Sequence, residues 1–102
     1  MEVQVLHIEG CPSSQAVVRR LRAAMDVVGL RDAPITLRQL GSAAEIEGSQ
    51  FAGSPTIVVD GRDLFPTDGK TTALACRVYP TPTGLAGSPT RAQLEDALRS
   101  HG

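Results

Sequence analysis

Val3, Val5, Leu6 and Ile8 place apolar side chains on both faces of an extended segment. That pattern suits a central strand covered by helices on either side. The rhythm then changes. Val17, Leu21, Ala24 and Val28 follow at i, i+4, i+7 and i+11, widened by Val18 and Met25, with Arg19, Arg22 and Asp26 on the opposite face. One apolar stripe of this kind predicts a helix from about residue 12 to residue 28, closed by Gly29. Residues 34–40 alternate instead: Ile35, Leu37 and Gln39 point one way, Thr36, Arg38 and Leu40 the other. This predicts a second strand, parallel to the first because a helix joins them. Gly41 ends it.

Ser42 and Glu45 stand in capping-box register, so a short helix starts there, runs to about Gly48, and is anchored by Ile46 and Phe51. Ile57, Val58 and Val59 form a third strand. Asp60-Gly61 is a two-residue hairpin signal, and residues 62–65 supply the antiparallel return strand. Thr90 and Gln93 cap a last helix with Leu94, Ala97 and Leu98 on its buried side. The predicted order is β-α-β-α-β-β-α: a single α/β domain with a four-stranded mixed sheet and three helices. Residues 66–89 are too long for a plain connection. Within them, residues 73–79 are expected to add a short strand or an ordered cover, and residues 80–87 a shaped turn.

Composition narrows the classes. A chain of 102 residues with 41% hydrophobic content is enough for one modest core. A net charge of −1 and three aromatic residues argue against a nucleic-acid surface. No apolar run approaches the roughly 20 residues of a membrane span. The first arginine is Arg19, so the N-terminus lacks the basic start of a secretion signal, and the expected compartment is the cytoplasm. Two cysteines, Cys11 and Cys76, are too few for a disulfide scaffold or an all-cysteine zinc site. No cofactor is implied.

The candidate chemistry lies where the first strand meets the first helix. Glu9-Gly10-Cys11-Pro12-Ser13-Ser14 places Cys11 on or next to the first helical residue. Unpaired N–H groups and the positive end of the helix dipole stabilise a thiolate there, which lowers the thiol pKa. Ser14 occupies the position of the second cysteine in a redox C-x-x-C motif, so the chain reads C-x-x-S. His7 is either a hydrogen-bonded strand residue or a base and charge partner for Cys11. Forty-odd residues on, Gly53-Ser54-Pro55-Thr56 puts a proline directly before a buried strand. Such a proline fits if the Ser54-Pro55 bond is cis and shapes a tight turn.

A cysteine at the first strand–helix turn, with Ser54-Pro55-Thr56 before the third strand, resembles the thioredoxin fold over nearly the whole chain outside 66–89. The resemblance implies that Cys11 is the nucleophile and that Ser54, Pro55 and Thr56 form a cis-proline loop pairing with a bound peptide or thiol. The run from Gly53 to Asp63, with Cys76-Arg77-Val78-Tyr79, Thr81-Pro82 and Gly84-Leu85, is similar to a narrower group of small bacterial thioredoxin-like proteins. Some of these carry selenocysteine at the position of Cys11, and some have been labelled alkylmercury lyase. Ser14 departs from the dithiol pattern, and the chain is far shorter than organomercurial lyases.

The first expectation is therefore a thiol–disulfide oxidoreductase acting through Cys11 on a thiol or disulfide substrate, with glutathione or a partner protein as the second reactant. Resolution falls to an external thiol or to Cys76, which otherwise is an apolar filler beside Leu74 and Val78. A second possibility is a soft-metal module, with Cys11, Cys76 and His7 holding Cu(I) or Hg(II). A third is an interaction domain of the same fold without catalysis.

Overall fold

A computed structural model describes residues 2–11, 13–66 and 77–101. The four main strands are β1 (Val3–His7), β2 (Ile35–Gln39), β3 (Thr56–Val59) and β4 (Arg62–Asp63). They form one mixed sheet in the order β2-β1-β3-β4. β1 and β2 are parallel, with Val3 opposite Ile35 and His7 opposite Gln39; β3 runs antiparallel to β1, with Val3 opposite Val59 and Leu6 opposite Thr56. The helices are α1 (Ser14–Val27), α2 (Ala43–Glu47) and α3 (Arg91–His101). The α/β class, the four-stranded mixed sheet and the three helices are those the apolar pattern predicts.

The alternation of β1 and β3 divides the core in two. Val3, Val5, Ile57 and Val59 face α1 and α3, packing with Val17, Leu21, Ala24, Met25, Leu94 and Leu98. Leu6 and Val58 face the other way, onto Leu40, Ile46 of α2 and Phe51. Burial of a side chain of this size contributes about 1.5–3 kcal/mol, so the two layers together hold the central strands between helices. Asp60 and Gly61 turn the chain between β3 and β4 with φ of 51° and 81°, the paired positive values a tight hairpin requires. The β4 ladder is shorter than predicted, although the Leu64 N–H still donates to Ile57 O at 2.8 Å.

Both predicted caps form, the one at α3 as a full capping box and the one at α2 with Glu45 reaching one residue further back. The Ser42 hydroxyl accepts from Glu45 N at 3.2 Å, while Glu45 Oε1 accepts from Gly41 N at 3.0 Å. At α3, Thr90 Oγ1 accepts from Gln93 N at 3.1 Å, and Gln93 Oε1 accepts from Thr90 N at 2.9 Å. Thr90→Ala should therefore lower stability by about 1 kcal/mol in urea melts, a typical value for a lost cap. An unchanged midpoint would show that α3 is held by packing alone.

The start of α1 corrects the sequence reading. The helix begins at Ser14, with Ser13 as its N-cap, so Cys11 precedes the helix and does not sit on its first residue. The chain is still turning there: Gly10 has φ of 76°, and the Cys11 N–H donates to Ile8 O at 3.4 Å. Residues 80–87, read as a shaped turn, contain a small hairpin of β5 (Tyr79–Thr81) and β6 (Gly84–Ala86), with Pro80 opposite Leu85. Pro12, Cys76 and most of the expected cover at 73–79 lie outside the described residues.

Candidate functional site around Cys11

Because β1 and β3 are antiparallel neighbours, the chain leaves β1 at the same end of the sheet where it enters β3. The Ile8 N–H donates to Ser54 Oγ at 3.1 Å and joins the two segments just beyond the ladder. This places the Cys11 turn beside the 53–56 loop. The Ser54-Pro55 peptide bond is cis, as the position of the proline implied.

Cys11 is partly exposed and forms no disulfide. Ser14 is nearly buried, and its hydroxyl donates to the carbonyl oxygen of Cys11 at 3.1 Å. Its described bond therefore braces the turn through the backbone. His7 lies on β1, and its Nδ1 is 3.4 Å from Ile8 O; no hydrogen bond described for it reaches Cys11. Ser54, Pro55 and Thr56 are all buried. The Thr56 hydroxyl accepts from Ala52 N at 3.0 Å and donates to Gly53 O, which fixes the loop from within.

No family model matches the chain, and no curated protein and no solved structure matches it at a significant level. The chemistry must be read from the site itself.

Two residues of the expected cover, to which the sequence assigned no role of their own, complete the site. Arg77 and Tyr79 lie over the 53–56 loop. The Arg77 N–H donates to Ser54 O at 2.9 Å, and the Tyr79 hydroxyl donates to Pro55 O. Arg77 Nη1 bonds Asp63 Oδ2 at 2.9 Å, and Nη2 donates to Phe65 O. The same guanidinium sits 4.5 Å from the centroid of the Tyr79 ring, and Phe65 meets that ring edge-on with centroids 5.6 Å apart.

Burial pushes the Tyr79 phenol well above its usual pKa; the Arg77 charge acts in the opposite sense, and the charges of Asp63 and Cys11 add to the rise. One sequence signal for this cluster was available: an arginine inside the otherwise apolar run 73–79, which demands a partner if buried.

Among the described residues, no group of three or more His, Cys, Asp or Glu side chains could hold a metal ion. The Cys76 ligand of the soft-metal possibility lies outside them. Among the described residues, no helix is long and apolar enough to cross a membrane.

Proposed function

We propose that the chain is a thioredoxin-like protein in which Cys11 carries out thiol–disulfide exchange. The observation that carries the reading is the position of Cys11: partly exposed, on the turn after β1, beside a cis Ser54-Pro55 loop entering the antiparallel β3. The strand order β2-β1-β3-β4 with a parallel β1/β2 pair supports the same fold assignment.

In the proposed cycle, the Cys11 thiolate attacks one sulfur of a disulfide. A Cys11–substrate mixed disulfide forms as the old S–S bond breaks, and the second sulfur leaves as a thiolate. A small thiol then attacks the substrate sulfur, forms a new disulfide with it and releases the Cys11 thiolate. Ser14 cannot close an internal disulfide, so the cycle is monothiol unless Cys76 takes the resolving role.

The test is mass spectrometry after incubation with oxidised glutathione, with peptide mapping of the adduct. The native chain should carry glutathione on Cys11 and lose it to added reduced thiol. Cys11→Ser should reduce exchange at this site to background while the far-UV circular dichroism is unchanged. A Cys11 that stays unmodified by both oxidised glutathione and iodoacetamide would sink the reading and favour a non-catalytic domain.

A further inference from the structure

Three successive carbonyls on the loop beside Cys11 accept hydrogen bonds from this chain itself. Gly53 O accepts from the Thr56 hydroxyl, Ser54 O from the Arg77 N–H, and Pro55 O from the Tyr79 hydroxyl. Pro55 has no N–H to offer, and the Ser54 hydroxyl is occupied by Ile8 N. The backbone of the Cys11 turn is engaged as well, its N–H bonded to Ile8 O and its carbonyl to the Ser14 hydroxyl. Residues 51–59 are buried without interruption.

The covering segment is firmly seated. Arg77 is held by the Asp63 carboxylate and the Phe65 carbonyl, with both ion-pair side chains nearly buried. Further along, Gln93 Nε2 donates to Pro80 O at 2.8 Å, tying β5 to α3. Gly87 lies so close to α1 that a Cβ on it would fall 2.3 Å from Ser13 Oγ. The strap therefore runs from the 53–55 loop to the N-terminal end of α1.

An extended polypeptide gains affinity by adding its backbone to an open edge. Here the loop beside the Cys11 turn is already paired with residues 77–79. We propose that this strap restricts the Cys11 site to small thiols and their disulfides, and disfavours polypeptide disulfides that need main-chain pairing. The inference rests on the exchange chemistry proposed above for Cys11.

The test compares two mixed disulfides with the same leaving group: N-acetylcysteine joined to thionitrobenzoate, and an unstructured peptide of about ten residues whose single cysteine is joined to thionitrobenzoate. Release of thionitrobenzoate is followed by absorbance, and the Cys11 adduct is mapped by mass spectrometry. Rates are divided by those of free glutathione with each probe, which removes intrinsic reactivity. The expected result is a corrected rate for the peptide roughly tenfold or more below that of the amino-acid probe, together with slow hydrogen exchange of the Arg77 amide. A peptide rate equal to or above the amino-acid rate overturns the inference and leaves the exchange chemistry intact. Exchange of the Arg77 amide at the rate of an unstructured chain also overturns it, because the strap would not be seated. No Cys11 adduct from either probe removes the exchange chemistry and the inference together.

Discussion

Asp63→Ala should cost about 3–5 kcal/mol, the usual penalty for removing one partner of a buried ion pair. The side chains of Arg77 and Asp63 are only 8% and 11% exposed. With the carboxylate gone, the guanidinium keeps the Phe65 carbonyl and the Tyr79 ring but loses its counter-charge. Asp63 Oδ1 also accepts from Phe65 N at 2.9 Å, so the substitution frees a second donor in the same place. A small domain has about 5–15 kcal/mol of stability in all, and each kcal/mol moves the melting point by about 4–8 °C. The expected fall in melting point is thus about 12–40 °C by calorimetry, with a matching loss in the urea midpoint. The double change Asp63→Leu with Arg77→Met should recover much of the loss, because it removes the buried charge as well as its partner. A loss below about 1 kcal/mol for Asp63→Ala would mean that the pair behaves as a solvated surface bridge.

The parts of this molecule that follow from local periodicity were readable in advance. Leu21 and Met25 had to share a helix face, Val3 and Val5 a strand face, and Asp60-Gly61 had to turn. Each signal is carried by residues a few positions apart, and tertiary packing reinforced the local preference. The cis peptide bond at Pro55 was readable for a different reason, since a proline abutting a buried strand leaves few backbone solutions.

The strap was readable as an ordered cover at 73–79 and a shaped turn at 80–87, but its pairings were not. Arg77 finds its partners 12 and 14 residues back, at Phe65 and Asp63, and Tyr79 finds Pro55 24 residues back. No period or spacing in a single sequence encodes those pairings. The start of α1 was misread because C-x-x-S and a following proline suggest a helix at once. The Gly10 turn and the Ser14 bond to the Cys11 carbonyl postpone it. Ser14 illustrates the general point: its spacing from Cys11 suggests redox chemistry, whereas its described hydrogen bond goes to the backbone.

Gly53→Ala tests the close approach on which the strap depends. Gly53 has φ of +112°, a conformation that side chains other than glycine rarely adopt. A Cβ there would meet Arg77 Cβ at 2.6 Å, Arg77 Cα at 3.0 Å and Arg77 N at 3.2 Å. These are mainly backbone positions, tied down by the Ser54 carbonyl, and cannot swing aside as a long side chain would. Backbone strain of this kind costs about 1–3 kcal/mol, and overpacking adds a similar amount, so a total of about 2–6 kcal/mol is expected.

Gly61→Ala separates the two contributions. Gly61 also has positive φ, at 81°, but a Cβ on it meets nothing within 4 Å. It should show the strain alone, and the difference between the two variants measures the contact with Arg77. Gly53→Ala should also speed exchange of the Arg77 amide, since lifting the strap relieves the clash, whereas Gly61→Ala should leave that amide protected. If the two alanine variants lose the same stability in urea melts and the Arg77 amide exchanges equally slowly in both, residues 77–79 do not press on the loop beside Cys11.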